Sequence, residues 1–467
     1  GLHMKIIRLS ILLICSNIFA QDDLSLIFYY DQIISPVENA NQKSPDMITD
    51  MDGVLHITWV EQIAGHKNIR YCKSEDGGAT FTSPTQVNNH NNSIIAYNQA
   101  GPKIRIRGDE LLIIYMDNRT GTTSPYLSRS LDGGDNWLQE IMVSDQPHLN
   151  LYPDIEIDSS GNIHVIYYNY NANYFIEDVR YTYAPPGTID FVASISTGLV
   201  NDEAEPCDCC QPDLAISEND DLYIAYRNNI NNIRDHYLVV KPVGDDFFSE
   251  SIRISTYNDF IDFCPSSGPS IAFNGNTIAV SYMVYQNLSS YINYSSLDEL
   301  SFNNEINVQI SDAMQNYPQS ILHNNFIHSS WVDFSNGSAD IYYGVSEIGS
   351  GEIQNVQRVH QFEEDNGISQ LDQKILWDNE FLYCLWSDQR DGHFQIYISK
   401  TSADAFVQGD VNQDGEIDVL DIIVTVNLIH QSDYNAIADL NGDGLLNVLD
   451  IIQLINLILF DSDPLVE

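Results

Sequence analysis

Basic residues are scarce in this chain: 20 Lys and Arg stand against 66 Asp and Glu, a formal net charge of −46. A surface of that sign repels nucleic acid and anionic lipid, so no nucleic-acid partner is expected. It suits a calcium-rich or salty medium whose counterions screen the self-repulsion, although solubility alone explains it equally well. Long apolar runs are also lacking. The early run at residues 9–19 is too short to cross a bilayer, and no later segment is apolar enough to do so, so no membrane span is expected. The middle of the chain has no long stretch of 3.6-residue periodicity, which excludes helical repeats there. Cysteine is sparse, 7 in 467 residues, and no Cys-x-x-Cys-His occurs, so covalent haem is unsupported. A hydrophobic content of 43% nevertheless makes the chain globular.

The chain starts with Met4-Lys5-Ile6-Ile7-Arg8, then the apolar run, then Ala20-Gln21. This order reads as a secretory signal peptide over residues 1–20, with Gly1-Leu2-His3 as a remnant ahead of Met4. Cys15 does not make a lipoprotein signal, because Ile14 stands where lipidation needs a small residue. The expected product is secreted, extracellular and bacterial, with association to the cell surface as an alternative.

The middle of the chain repeats. A strand, a turn and a second apolar strand recur from Pro45 with residues 54–59, Pro102 with 111–115, Pro153 with 163–167 and Pro212 with 222–226. They recur again from Pro269 with 278–282, Pro318 with 326–331 and Asp372 with 381–386. These are seven evenly spread starts. Their nearly constant period, with several short strands per unit, predicts an all-β propeller of seven blades, alternatively six, over residues 21–404. In one unit a third strand is read at 178–183 and a fourth at 191–196. The last unit ends at its third strand, 395–399, and a spare segment within 26–34 is expected to close the ring as its missing fourth strand.

Between strands three and four, two units carry Ser74-Glu75-Asp76-Gly77-Gly78-Ala79-Thr80-Phe81 and Ser130-Leu131-Asp132-Gly133-Gly134-Asp135-Asn136-Trp137. The Asp accepts N–H groups of the turn, Gly supplies positive φ, and the aromatic plugs the blade. These turns resemble the Asp boxes (BNR repeats) of sialidase-like propellers, which implies that fold over about residues 25–404 and is nearly silent on activity. A second turn, Asp117-Asn118-Arg119-Thr120-Gly121, recurs as Asp388-Gln389-Arg390-Asp391-Gly392 and reads as a structural salt bridge. The resemblance would require of a true sialidase an arginine trio for the substrate carboxylate and an early Phe/Tyr-Arg-Ile-Pro motif. Here Ser44-Pro45-Asp46-Met47-Ile48 has no Arg, and Arg105 and Arg107 lie on an inner strand without the motif. Exo-sialidase activity is therefore not expected.

Two twelve-residue segments near the C-terminus start at Asp410 and Asp439 and follow one pattern. Oxygen side chains stand at loop positions 1, 3, 5, 9 and 12: Asp410, Asn412, Asp414, Asp418 and Asp421, then Asp439, Asn441, Asp443, Asn447 and Asp450. Gly415 and Gly444 supply the sharp turn, and Glu416 and Leu445 would contribute backbone carbonyls. Such spacing gathers hard oxygens around one Ca²⁺, so two calcium ions are expected. An apolar helix follows each loop and none precedes it. In these features residues 405–467 resemble a type I dockerin, a small α-helical module, which implies a cohesin-like partner. Val419-Leu420 and Val448-Leu449 occupy positions where many such modules carry hydroxyl residues. That departure makes the partner differ from a cellulosomal cohesin, or makes the segment a calcium-stabilised tail that holds the protein at a cell-surface partner. The likeness of the two halves allows binding in two orientations.

Four cysteines cluster. Cys207 precedes Pro212 as Cys264 precedes Pro269, at the same distance along the chain. Both therefore sit at equivalent entries to the inner strands of neighbouring blades, beside Cys209 and Cys210. The arrangement resembles a subgroup of exported sialidase-like proteins. One or two disulfides are expected from an oxidising compartment, with a thiolate site for a soft metal such as copper as the alternative. Adjacent Cys209 and Cys210 are poor partners for each other, so one of them bridges Cys264 or Cys207 and the rest stay thiols beside Asp208. Arg227, Arg234 and Asp235 form the best polar constellation nearby, and also read as a solvent-exposed turn. Cys72 and Cys384 stay open, as buried thiols or a pair.

Three functions fit the sequence. One is a propeller that binds or degrades an extracellular glycan and is displayed through its dockerin-like segment. Another is a copper-dependent enzyme on the cysteine cluster, and the third a non-catalytic surface or matrix protein. Carboxylates in the channel would favour the first, a bound metal the second, and an apolar plug the third.

Overall fold

The computed structural model describes residues 26, 28, 31–97, 99–201, 204–308, 311–361, 367–378, 381–401, 409, 411, 417, 419–431, 438, 440 and 445–460. The expected signal peptide lies outside them. The chain divides into two compact units, one over Ile27–Ser402 and a second that holds two helices.

The larger unit consists of seven antiparallel sheets. Their inner strands, Ala40–Thr49, Lys103–Arg107, Asn150–Ile157, Asp213–Ile216, Ser270–Asn274, Gln315–His323 and Gln370–Trp377, define blades 1 to 7 in order. Each packs against the inner strand of the next blade, and the seventh packs against the first. The ring is thus a seven-bladed propeller. Second strands such as Glu110–Asp117, Ile163–Tyr170 and Phe326–Asp333 are buried along their whole length, because sheets cover both of their faces. Their β-branched and aromatic residues fill the space between blades. Between blades 7 and 1, for example, Trp59 and Cys72 pack with Tyr383 and Leu385. Cys72 and Cys384 are buried free thiols, and burial pushes both well above the usual thiol range.

Blade 7 takes its fourth strand from the other end of the unit. Gln32 lies opposite Ile398 and Ile33 opposite Tyr397. The fourth strand read at 191–196 is shorter than expected, Ile195–Ser196, while the third extends over Ile176–Ala184. The seventh repeat starts one position later than expected. Register shifts before Asp46, Asp154, Gln319 and Lys374 place Asp372 level with Ser44, Tyr152 and Tyr317. All four residues adopt a left-handed backbone, with φ of 59°, 52°, 54° and 54°. Blade 7 has Gln373 where the other three have proline, so its start carries no proline to mark it.

The turns follow the expected chemistry. Asp76 accepts the Thr80 N–H at 2.8 Å, and Asp132 accepts the Asn136 N–H at 2.9 Å. Gly134, at φ +89°, lies so close to Tyr71 of the preceding blade that a Cβ there would sit 2.0 Å from its ring. Arg119 pairs with Asp117, and Arg390 with Asp388, each at 2.6 Å. Each guanidinium also stacks 4.3 Å over a tyrosine ring, Tyr126 or Tyr397.

The smaller unit contains α1 (Val419–Gln431) and α2 (Val448–Phe460), which pack on each other. Among the described residues no helix is long and apolar enough to cross a membrane.

Candidate functional site

The inner strands enclose a cavity of about 310 Å³, lined in part by Asp46, Lys103, Arg105, Glu156, Asp213, Tyr317, Gln319 and Lys374. Four of its charged lining residues, Asp46, Lys103, Asp213 and Lys374, come from one repeated position, and Arg105 and Glu156 stand two residues further along their strands. The residue after the proline is Asp46, Lys103, Asp154, Asp213, Ser270 and Gln319 in blades 1 to 6, and Lys374 is its counterpart in blade 7. Three of the aspartates reach across to the next blade. Asp46 accepts the N–H of Ile104 at 2.9 Å, Asp154 that of Leu214 at 2.9 Å, and Asp213 that of Ile271 at 2.7 Å. Asp46 and Asp213 therefore join the blades and charge the channel at once, while Asp154 joins them from a buried place. Burial, followed by the neighbouring Asp154 charge, pushes Asp213 up to about 7. Burial and Lys103 bring Lys374 down to about 8. Arg105 is held by Glu156 at 2.6 Å and by Asp46 at 3.4 Å, so it is not free to receive a substrate carboxylate. The sequence reading missed this ring. Its signal was present in Pro45-Asp46, Pro153-Asp154 and Pro212-Asp213.

The cysteine cluster stands at the mouth of the same channel, since Gln211 and Gly268 line the cavity and adjoin it in sequence. A disulfide joins Cys209 to Cys264, across the entries of blades 4 and 5. Cys207 and Cys210 are fully buried thiols whose sulfurs lie 2.7 Å apart. Arg234 Nη1 donates to Cys207 Sγ at 2.9 Å. The hydrogen bond from Cys210, that from the Cys209 N–H and the two nearby guanidiniums bring Cys207 down to about 7. The sulfurs of Cys207, Cys209 and Cys210 lie within 4.8 Å of one another, close enough to hold a metal, but Cys209 already spends its sulfur in the disulfide.

The solvent-exposed reading of the Arg227–Asp235 stretch is corrected. Arg227 is fully buried, Arg234 and Asp235 nearly so. Arg227 Nε donates to His236 Nε2 at 3.1 Å, and its carbonyl accepts the Cys207 N–H at 2.7 Å. Asp235 turns away from the cysteines to Arg253 and accepts the Asn258 N–H at 2.9 Å. Asp208 has an exposed side chain, and its carbonyl accepts the Tyr170 hydroxyl at 2.6 Å. The tip of the turn, Asn231 and Asn232, is exposed as expected, but its flanks are buried because their polar groups satisfy one another and the entry strand, which composition does not reveal.

A wider groove of about 990 Å³ between blades 3 and 4 contains an arrangement that looks catalytic: His164 Nδ1 lies 2.8 Å from the Tyr181 hydroxyl, and its Nε2 3.2 Å from Asp158. Blade 1 repeats it with His56, Tyr71 and Asp50, and blade 6 repeats the His328–Tyr343 pair. Burial holds all three histidines below the usual imidazole range. A motif repeated across blades belongs to the blade, and this one ties strand two to strand three.

In the smaller unit, Asp421 and Asp450 are fully buried in the first turns of α1 and α2. Asn447 caps α2: its side-chain oxygen accepts the Leu449 N–H at 2.9 Å, and Asp450 accepts the Asn447 N–H at 2.9 Å. Buried carboxylates at the last loop position fit a hard cation. Asp410, Asn412, Asp414, Glu416, Asp418, Asp439, Asn441 and Asp443 lie outside the described residues.

Residues 408–459 match the Dockerin type I domain model. No curated protein matches the chain in sequence. Among solved structures, a polysaccharide lyase of family 25, an ulvan lyase bound to -[GlcA(1-4)Rha3S]-, has a TM-score of 0.52 at 9% identity, covering 78% of this chain and 94% of its own. The GH93 α-L-arabinofuranosidase of Fusarium graminearum has a TM-score of 0.47 at 14% identity, covering 80% and 98%. The phage phi92 endosialidase has 0.44 at 10% identity, covering 81% and 69%. At such identities the likeness is one of fold. Residues 408–459 are a type I dockerin domain, and the larger unit of the same chain is a seven-bladed β-propeller.

Proposed function

We propose that the protein is secreted and acts on an extracellular glycan at the propeller's channel mouth, and that its dockerin, holding two calcium ions, docks it to a cohesin-like or cell-surface partner. The observation that carries the reading is the charged channel. Asp213, partly open to the cavity and pushed up to about 7, holds a proton near neutrality. Asp154 lies beside it, 3.9 Å from the Lys103 ammonium. A carboxyl group that keeps its proton near neutrality is what general-acid cleavage of a glycosidic bond requires. In that role Asp213 protonates the leaving oxygen, while Asp154, buried outside the cavity lining, acts on Asp213 through its charge alone. A channel so polar disfavours a purely structural, apolar-plugged propeller.

A panel of plant and algal polysaccharides, assayed for binding and for new reducing ends, tests the reading. Asp213→Asn is expected to lower turnover by about 100-fold to 10,000-fold while leaving binding intact. Absence of any glycan binding by the wild-type protein would overturn it.

The dockerin surface supports a partner with an apolar face. Val419, Leu420, Ile423 and Val426 are exposed, and so are their counterparts in the second repeat, Val448, Leu449, Ile452 and Ile455. Replacing Val419, Leu420, Val448 and Leu449 by Thr is expected to abolish capture of the cohesin-like partner. Replacing one pair should leave it intact, because either half presents the same surface.

A further inference from the structure

The cysteine cluster holds more than a staple. We propose that Cys207, Cys209, Cys210 and Cys264 form an internal thiol–disulfide exchange centre that releases the entry loop of blade 5 from the channel mouth.

Cys207 Sγ lies 3.6 Å from Cys209 Sγ, a sulfur already in a disulfide, and 2.7 Å from Cys210 Sγ. The attacking sulfur is thus in contact with both alternative partners. Arg234 fixes it by donating to it at 2.9 Å, and favours its thiolate. The leaving sulfur is the exposed one: Cys264 is open to solvent, whereas Cys207 and Cys210 are fully buried.

The exchange balances without an outside oxidant. The Cys207 thiolate attacks Cys209 Sγ, the Cys209–Cys264 bond breaks, and Cys264 leaves as a thiolate that takes a proton from water. Cys210 gives up its proton and attacks Cys207, the Cys207–Cys209 bond breaks, and Cys209 leaves as a thiolate that is protonated in turn. One disulfide and two thiols remain throughout, and the bond has moved from Cys209–Cys264 to Cys207–Cys210.

Apart from the bridge, the loop that Cys264 anchors is held by the Phe263 ring, edge-on to Tyr285 at 4.7 Å, and by one bond on each side. Ile261 is held by the Asn232 carbonyl at 2.9 Å on one side, and Ser267 by Asn316 at 2.7 Å on the other. The bridge stands between these anchors. Its transfer frees residues 262–266 beside Gln211 and Gly268, which line the channel. The centre therefore sets access to the channel whatever the channel binds, and does not depend on the glycan reading.

Iodoacetamide labelling of the native full-length protein, with mass readout of the Cys264 peptide, tests the proposal. The wild-type protein is expected to expose an alkylatable Cys264 at pH 8 while its free-thiol count stays constant. Cys207→Ser should slow Cys264 labelling at least tenfold. Arg234→Gln, which keeps every sulfur, should slow it as well and covers the case in which Cys207→Ser fails to fold. A wild-type Cys264 that stays unlabelled overturns the proposal. So do four cysteines all found in disulfides, or labelling that neither variant slows.

Discussion

Asp372 on blade 7 accepts the backbone N–H of Ser44 on blade 1 at 3.1 Å. This bond gives the joint between blades 7 and 1 a carboxylate-to-backbone tie like those that Asp46, Asp154 and Asp213 make to their next blades. The ends of the ring are thus joined twice, by the Asp372–Ser44 bond near the channel and by the Gln32–Ile33 strand at the rim.

Removal of residues 21–36 should therefore lower the melting temperature of the whole propeller. Without that segment blade 7 keeps an open edge, and Arg390 loses the 2.6 Å contact with Asp31. A truncated protein that melts like the full chain in a circular dichroism scan would refute the closure argument.

Gly134→Ala should destabilise the propeller by about 3 kcal/mol, since the added methyl meets the Tyr71 ring and the backbone is left-handed. Gly53→Ala is the control: it shares the positive φ but meets nothing within 4 Å. Denaturant titration of both variants separates contact from backbone strain.

The pH dependence of stability should carry the mark of Asp213. Its folded pKa of about 7 lies above the unfolded value of about 3.9. Between those limits the folded state holds a proton that the unfolded state has lost, so stability falls as pH rises through the window. Asp213→Asn keeps an acceptor for the Ile271 N–H and removes the titration. Melting curves of the two proteins should diverge from pH 4 to pH 7, the variant gaining on the wild type; parallel curves would count against the buried-carboxyl account.

Calcium removal should unfold the dockerin alone. Segment 405–467 is expected to lose its helical signal in excess chelator and to recover it on adding Ca²⁺. Asp421→Ala with Asp450→Ala should abolish that response, because both carboxylates are fully buried. Full helix in chelator would sink the prediction.

Much of this was legible in the sequence because turns write their chemistry locally. Asp117-x-Arg119 and Asp388-x-Arg390 could be paired on paper, since each bond closes within a single turn. The repeat pattern that marks the dockerin is local in the same way. What stayed hidden is contact at long range. Arg234 meets Cys207 only after the intervening chain has folded back on itself, and Asp213 is raised by its burial in the ring and then by Asp154 on another blade. Composition marks such residues as polar and places them in solvent. Only the neighbours, fixed by the ring, determine that they are buried and charged.

The borrowed strand of blade 7 also sets an order of events during synthesis. Gln32 meets Ile398, so the last contact of the ring joins nearly the first structured part of the propeller to nearly the last. Contacts of that separation form slowly, because the intervening chain must be ordered before the ends can meet. Blades 1 to 6 can assemble as the chain emerges, but the ring stays open until the strand Gln395–Lys400 is available. Lag in this one step, rather than weak blades, would be the point at which a chaperone or a neighbouring copy could intercept the nascent protein.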